Sequence, residues 1–168
     1  IQFNHAVFAD ILVNGESRHT VDVKDRGFQY GDGLFETIEI KQGHPVFLQQ
    51  HLIRLEKGCD ALGIPFPGIR LLTEDIRQLL QNSSRAVLKL MITRGSGGRG
   101  YQQPEKIKPT RIVSLHPFPD YPVGYQLNGI KARFCHNRLG YNPVLAGLKH
   151  MNRLEQILAR AEWDDPGV

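Results

Sequence analysis

The sequence predicts an α+β fold with a mostly antiparallel sheet, and three observations support this prediction. Asn14-Gly15 separates two extended runs, which is a strong signal for a β-hairpin. Two longer runs, Leu34–Lys41 and Arg85–Thr93, alternate in polarity or are rich in β-branched and apolar residues, and therefore predict strands. Helical segments occur among these strands without the regular alternation that is typical of a parallel sheet.

The remaining strands are predicted from shorter extended runs that are bounded by turn residues. They are Ala6–Val13 and Ser17–Val23 on either side of the hairpin turn, Val46–Leu48, Arg111–Leu115 and Ile130–Phe134. Segments that are rich in Gly, Asp or Pro, or that lack periodicity, predict loops over Asp25–Gly33, Gln42–Pro45, Gly95–Lys108 and Asn137–Leu148.

Three helices are predicted from apolar residues at three- and four-residue spacing. The first covers Gln49–Leu62 and ends at Gly63, a residue type that is common at helix C-termini. Its apolar stripe consists of Leu48, Leu52, Leu55, Cys59 and Leu62. The second helix lies within Pro67–Gln81 and the third covers Met151–Trp163. The apolar face of the third helix consists of Met151, Leu154, Ile157, Leu158 and Ala161.

The composition is that of a globular protein. Of the 168 residues, 40% are hydrophobic and 23% are charged, which excludes a disordered, collagen-like or disulfide-scaffold protein. The longest apolar run, Ala86–Ile92, is interrupted by Lys89 and is far shorter than the ~20 residues of a membrane helix. Because Cys59 and Cys135 lie far apart and form no CxxC pair, we expect a reducing, cytoplasmic compartment.

The net charge of +4 is mild, and the basic residues are spread along the chain. Since nucleic-acid-binding proteins usually concentrate Lys and Arg on one face, we expect neither a nucleic-acid nor a membrane partner. A few local arginines suffice for a small anionic ligand. The seven histidines are scattered, without the spacing of a metal site.

From both ends of the chain we expect a fragment. The chain begins at Ile1 rather than Met, and it ends at Val168 in a loop-like stretch that follows a predicted helix. We expect residues 1–120 to form an N-terminal α+β lobe. Residues 121–168 would then form the start of a second lobe, which is truncated.

The glycine-rich segment Gly95–Gly100 matches GxGxxG and follows a predicted strand. A dinucleotide site also needs a helix that begins at the last glycine, and the Tyr-Gln-Gln-Pro continuation disfavours one. We therefore interpret the segment as part of a loop that presents Arg94 and Arg99. The Gly-Asp-Gly sequence at 31–33 is interpreted as a turn, with close approach of the backbone to a ligand as the alternative.

Three further cations each have two interpretations. Arg54 lies one position off the apolar stripe of its helix, where it is either solvated or directed at an anion in a cleft. Lys89 interrupts an apolar strand on the same face as Val87 and Met91, and it either lies at a sheet edge or points into a site. Lys149 lies where a loop becomes a helix, either as a surface lysine or as a partly desolvated, nucleophilic amine.

Four segments resemble the signatures of one enzyme family and follow each other in its order: Asp25–Thr37, His51–Leu55, Ile92–Tyr101 and Asn142–Glu155. They are similar to segments of the aminodeoxychorismate lyases. These enzymes belong, with the branched-chain and D-amino-acid aminotransferases, to the fold-type IV pyridoxal-phosphate enzymes. The resemblance covers nearly the whole chain, and it implies a fold-type IV structure, a pyridoxal 5'-phosphate cofactor and a homodimer.

The resemblance also implies roles for single residues. Lys149 would bind the cofactor covalently and act as the catalytic base, and Arg54 would contact the cofactor phosphate. Tyr30 and Arg94 would lie near the substrate. Lys89 matches a lysine of the lyase pattern, for which no role is implied. No metal is implied.

The implied activity is the conversion of 4-amino-4-deoxychorismate to 4-aminobenzoate and pyruvate, a step in folate biosynthesis. A branched-chain or D-amino-acid aminotransferase is the alternative within the family. A non-catalytic binding module that keeps only the N-terminal part of the family is the alternative outside it. The family continues beyond the residue that matches Val168, with the acidic partner of the pyridine nitrogen and a phosphate-binding loop. We therefore expect the full gene product to be active and the isolated chain to be inactive.

Overall fold

The computed structural model describes residues 11–80 and 83–163, which form two compact units. Unit 1 consists of the described part of Ile1–Phe118 together with Leu148–Met151. Unit 2 consists of Pro119–Gly147 and the described part of Asn152–Val168. The first unit therefore ends two residues before the predicted boundary at residue 120. It also includes Leu148–Met151, which the prediction assigned to the second lobe. That these units are the two lobes of the family fold stays a prediction.

Unit 1 contains a six-stranded sheet in which every pair of neighbouring strands is antiparallel. The strand order is β2-β1-β6-β5-β3-β4. The strands are β1 (Ile11–Val13), β2 (Glu16–Ser17), β3 (Gly33–Lys41), β4 (His44–Pro45), β5 (Arg85–Thr93) and β6 (Thr110–His116). The predicted α+β class with a mostly antiparallel sheet is thus confirmed.

The predicted hairpin is present, but its second strand is short. Asn14 (φ 55°) and Gly15 (φ 84°) both lie in the left-handed region, as a type I′ turn requires. The predicted strand Ser17–Val23 is wrong after Ser17. The side chains from Arg18 to Val23 are all exposed, so this segment has no buried face that would pack against a core. Of the predicted strand Ala6–Val13, residues 6–10 lie outside the described residues.

The predicted loop Asp25–Gly33 contains a short helix, α1 (Arg26–Tyr30). The Asp25 side chain caps it by accepting a hydrogen bond from the Gly27 backbone N–H at 2.8 Å. Gly31 ends the helix in the left-handed conformation, with φ 66°. Five residues are too few for an apolar period, so the prediction missed this helix.

Two longer helices cover one face of the sheet. Helix α2 (Leu48–Leu62) confirms the first predicted helix, and Gly63 ends it with φ 62°. Because α2 begins at Leu48, the predicted return strand Val46–Leu48 is wrong, and β4 pairs with the end of β3 instead. Helix α3 (Ile69–Leu79) lies within the segment predicted for the second helix.

The strands at the centre of the sheet separate two chemically different faces. Residues that face α2 and α3 form the core with those helices, and they include Leu34, Ile38, Ile40, Leu88, Leu90, Ile92 and Val113. The opposite face carries Phe35, Thr37, Lys89 and Met91, which are half-buried or exposed, and we call it the lysine face. The period-two alternation of a strand therefore places neighbouring residues of β3 in two environments.

Unit 2 contains two short helices, α4 (Gly124–Asn128) and α5 (Leu154–Ala161). The predicted strand Ile130–Phe134 is wrong, because this segment is irregular and Phe134 is 95% exposed. Without a neighbouring strand, an extended run has no partner for its backbone hydrogen bonds. Helix α5 is shorter than the predicted Met151–Trp163, and three residues of its predicted apolar face are exposed: Leu154, Ile157 and Leu158.

Among the described residues, no helix has the length and apolar character that crossing a membrane requires.

The fully buried Leu88 should be one of the most sensitive positions in the sheet. We expect Leu88→Ala to lower the free energy of unfolding by about 3 kcal/mol, because the truncation leaves a cavity in a packed core. Urea unfolding followed by circular dichroism measures the change. Glu39→Ala, at an exposed position of β3, is the control and should change stability by less than about 0.5 kcal/mol. Equal effects of the two substitutions would contradict the assigned core.

Candidate active site

Lys149 lies against the edge of β3 rather than at the beginning of a helix. The Phe35 backbone N–H donates a hydrogen bond to the Lys149 carbonyl at 3.0 Å, and the Met151 N–H donates to the Gly33 carbonyl at 3.0 Å. The segment Leu148–Met151 therefore pairs with the sheet of unit 1. The expectation that a helix begins shortly after Lys149, at Met151, is wrong, since α5 begins at Leu154.

The Lys149 amine lies on the lysine face. Its Nζ is 4.3 Å from the centre of the Phe35 ring, and the Lys89 Nζ is 5.7 Å from the same ring. Both ammonium groups are thus within the distance at which an aromatic ring attracts a cation. Lys89 pairs across the sheet with Thr37 and with Ser114, so β5 is a central strand and the edge alternative for Lys89 is wrong.

Arg54 is bound to a buried carboxylate. Its Nε donates to Glu36 Oε1 at 2.7 Å, and its Nη2 donates to Glu36 Oε2 at 2.5 Å. Only 1% of the Glu36 side chain is exposed, whereas half of the Arg54 side chain is. The hydrogen bond with Glu36 raises the pKa of Arg54 above its usual value, so the guanidinium stays charged. Because both bonds use the Nε–Nη2 edge, the Nη1 side is the part that can meet an anion.

Lys149 and Arg54 are held by consecutive residues of β3. Phe35 binds the backbone of Lys149 and underlies its amine, while the next residue, Glu36, binds the guanidinium of Arg54. A primary amine and a guanidinium are suited to an aldehyde and a phosphate, respectively. Since Phe35 and Glu36 are neighbours in β3, their side chains lie on opposite faces of the sheet, and each face positions one of the two cations.

Arg94 is buried, and its guanidinium donates four hydrogen bonds inside unit 1. Two go to Asp32, from Nε at 2.7 Å and from Nη2 at 3.1 Å. The other two go to the carbonyls of Leu62, at 2.8 Å, and Gly63, at 3.0 Å, at the end of α2. The expectation that the loop presents Arg94 is therefore not supported, and substrate contact by Arg94 stays a prediction. The geometry gives this side chain a structural role.

Arg26 is a second buried arginine on the same carboxylate, and the sequence analysis missed it. Its Nε donates to Asp32 Oδ2 at 2.9 Å. Its Nη1 donates to the carbonyls of three residues in the loop Gly95–Lys108, which we call the glycine-rich loop, at 3.0–3.5 Å: Gly97, Gly100 and Gln102. No spacing rule pairs an arginine with an aspartate six residues later, so no sequence signal indicated this contact.

Burial raises the pKa of the Asp32 carboxyl, but the hydrogen bonds and charges of Arg94 and Arg26 outweigh this effect and hold it below 3.8. The carboxylate thus stays charged between the two arginines. Asp32 joins the end of α2, helix α1 and the glycine-rich loop into one network. The Gly-Asp-Gly sequence at 31–33 is accordingly more than a turn, because its aspartate neutralises two buried cations.

Tyr30 lies between this network and the glycine-rich loop. The Arg26 guanidinium carbon is 4.9 Å from the centre of the Tyr30 ring, and the Tyr101 ring centre is 5.8 Å from that of Tyr30. The Tyr30 side chain remains partly exposed, so it can contact a ligand. Within the described residues, no helix begins at Gly100, and the interpretation of this segment as a loop is confirmed.

Asp25 ties the beginning of α1 to two strand ends. Its buried carboxylate accepts hydrogen bonds from the hydroxyls of Thr93, at 2.9 Å, and Thr110, at 2.6 Å. The Arg26 backbone N–H also donates to the Gly95 carbonyl at 2.9 Å. These hydrogen bonds fix both ends of the glycine-rich loop, next to Thr93 and Thr110. Because the bonds join residues that are far apart in the sequence, no local sequence pattern predicts them.

Comparisons with known proteins identify the family of this chain. The amino-transferase class IV family matches residues 33–168, and the chain belongs to this family. It is similar to aminodeoxychorismate lyase of Vibrio harveyi, with 41% identity over 152 residues that cover 90% of this chain and 56% of the relative. It is also similar to D-alanine aminotransferase of Bacillus licheniformis, with 33% identity over 73% of this chain and 45% of the relative.

A solved structure of 4-amino-4-deoxychorismate lyase from Pseudomonas aeruginosa superposes with a TM-score of 0.87 at 46% identity. The match covers 94% of this chain and 58% of that structure. The predicted fold-type IV structure is therefore confirmed for this chain. The chain spans little more than half the length of the relatives that it matches.

Asp32→Asn should destabilise the protein at neutral pH by about 3 kcal/mol, because two buried arginines lose their counter-charge. The pKa of Asp32 is lower in the folded state than its ordinary value of 3.8. The charged carboxylate therefore stabilises the folded protein at pH values above 3.8, and this stabilisation is lost as the pH falls below that value. The difference between wild type and variant should narrow below about pH 4. Urea unfolding from pH 3 to pH 7 measures it, with the exposed Asp120→Asn as control. A difference that is independent of pH would contradict the charged pairing.

Gly95 and Gly100 form a matched pair for testing the loop. Both have positive φ, at 82° and 56°, so the backbone strain of an alanine contributes about 1 kcal/mol at either position. A Cβ at Gly95 would also overlap the Lys108 carbonyl oxygen, whereas no atom lies within 4 Å at Gly100. We therefore expect Gly95→Ala to cost about 3 kcal/mol in a thermal or urea unfolding measurement. A smaller cost at Gly95 than at Gly100 would contradict the loop geometry.

Proposed function

We propose that the protein containing this chain is a pyridoxal 5'-phosphate-dependent lyase that converts 4-amino-4-deoxychorismate to 4-aminobenzoate and pyruvate. The observation that carries the proposal is the position of the Lys149 amine over Phe35, while the next residue of the strand, Glu36, holds Arg54 from the other face of the sheet. The similarity to aminodeoxychorismate lyases at 41% and 46% identity supports this substrate. We also propose a homodimer, following the resemblance of the four signature segments.

The residues present fit the proposed cofactor. Members of this family bind pyridoxal phosphate. Lys149 offers the amine for the cofactor aldehyde, and the Nη1 side of Arg54 offers donors for the phosphate. When bound, the cofactor supplies an electron sink that stabilises negative charge at the carbon that carries the substrate amine.

Lys149 then has a second task as the base. Its amine removes the proton from C4 of the substrate. The electron pair left at C4 forms the new ring double bond as the C–O bond to the enolpyruvyl group breaks. The methylene of the departing group takes up a proton, which gives pyruvate. Phe35 holds the Lys149 amine in place during this transfer, and aromatisation of the ring drives the reaction.

The lysine face also suits a substrate with two carboxylates. Lys89 adds a second ammonium group over the same Phe35 ring. Thr37 is the residue of β3 that pairs with Lys89 of β5, and it adds a hydroxyl to this face. We propose that these two side chains bind a substrate carboxylate, because an ammonium and a hydroxyl both donate hydrogen bonds to such a group. Sequence reasoning identified Lys89 without a role and missed Thr37, whose position depends on the strand register.

An aminotransferase is the second candidate, and the similarity to D-alanine aminotransferase at 33% identity favours it among the alternatives. The two activities share the lysine and the cofactor, but only the lyase releases pyruvate from 4-amino-4-deoxychorismate. We expect the full-length protein to release pyruvate in a coupled lactate dehydrogenase assay. Formation of a keto acid from D-alanine or a branched-chain amino acid, without pyruvate from aminodeoxychorismate, would establish the aminotransferase instead.

Lys149→Ala in the full-length protein should lower the rate of pyruvate release by more than about 10³-fold, because the variant loses both the covalent attachment and the base. Lys41→Ala is the matched control, since Lys41 lies exposed at the far end of β3 and should leave the rate unchanged. Substantial residual activity of Lys149→Ala would contradict the proposed role.

A further inference from the structure

Glu36 is a carboxylate in the core face of the sheet. Its side chain is 1% exposed and lies on the same strand face as Leu34 and Ile38. Burying a charged group among apolar residues is unfavourable unless partners compensate its charge and its hydrogen bonds. The stability of the fold alone would be served as well by another apolar residue here, so this position calls for a different explanation.

The partners of Glu36 come from one turn of α2. Arg54 binds both carboxylate oxygens, at 2.7 Å and 2.5 Å, and His51 Nδ1 lies 2.7 Å from Oε2. His51 and Arg54 are three residues apart, so they project from the same side of the helix. Both partners are more exposed than the carboxylate, with 19% of the His51 side chain and 50% of the Arg54 side chain accessible.

The two parallel bonds restrict the guanidinium of Arg54. An arginine on a helix surface has four flexible torsions and loses considerable entropy when a ligand fixes it. Pairing with the two oxygens of Glu36 holds the guanidinium plane in one orientation before any ligand arrives. The Nη1 side then points away from the carboxylate.

We propose that Glu36 is a positioning residue, which fixes Arg54 in the orientation that binds the phosphate of the cofactor. This inference rests on the proposed function, because the phosphate contact of Arg54 belongs to it. The orientation of Arg54 by Glu36 favours phosphate binding, whereas the negative charge of Glu36 disfavours it, since this charge weakens the attraction of Arg54 for an anion. The proposal therefore requires that orientation outweighs charge at this position.

Two substitutions separate orientation from charge. Glu36→Asp keeps the charge, but it is one methylene too short to hold the guanidinium in the same place. Glu36→Gln keeps the size, but it replaces one acceptor oxygen by a donor, which cannot accept the bond from Nη2. Glu39→Gln is the control, because it changes the same charge at an exposed position of the same strand.

The measurement compares the affinity of each full-length apoprotein for pyridoxal 5'-phosphate with its affinity for pyridoxal, which lacks the phosphate. Absorbance titration gives both dissociation constants. We expect the preference for the phosphorylated form to fall about tenfold in Glu36→Asp and Glu36→Gln, with pyridoxal affinity unchanged. Glu39→Gln should keep the preference of the wild type. A merely structural role of Glu36 would weaken the binding of both ligands alike.

Each outcome decides a separate question. If a Glu36 variant that is folded by circular dichroism keeps or increases the preference for the phosphorylated ligand, the positioning role is overturned. The isosteric Gln variant serves this purpose if the Asp variant does not fold. Arg54→Gln should abolish the preference. If it does not, the phosphate contact itself is wrong, and with it a part of the proposed function.

Discussion

The alternation of side chains along β3 is the constraint on which the candidate site depends. Phe35 points to the lysine face, where it lies below the Lys149 amine, and Glu36 points to the core face, where it binds Arg54. A shift of the strand by one residue would exchange these two environments. The register with β5 therefore fixes both an amine and a guanidinium, and the pairing of Lys149 with the strand edge completes the arrangement.

A second constraint is the charge of Asp32 between two buried arginines. Each arginine would be costly in the interior without it, and each uses its remaining donors on backbone carbonyls. Arg94 thereby holds the end of α2, and Arg26 holds the glycine-rich loop. The same helix carries Arg54, so the two charged networks both act on the position of α2 and of the residues beside it.

The sequence predicts the longer strands and helices of unit 1 well, because these have strong local signals. The strand Arg85–Thr93 has the predicted bounds, and Gly63 ends α2 as expected. What the sequence does not predict comes from contacts between distant residues. The burial of Arg94 depends on Asp32 and on carbonyls of α2, and no pattern near Arg94 encodes them. In unit 2, the predicted strand Ile130–Phe134 fails because an extended run also needs a neighbouring strand.

Attachment of pyridoxal phosphate to Lys149 can be measured directly. The full-length protein is incubated with the cofactor, reduced with borohydride and digested, and the modified lysine is identified by mass spectrometry. We expect a single phosphopyridoxyl adduct at Lys149, whose amine lies over Phe35 and is the one proposed to bind the cofactor aldehyde. Labelling at Lys89 instead, labelling scattered over surface lysines, or the absence of any adduct would contradict it.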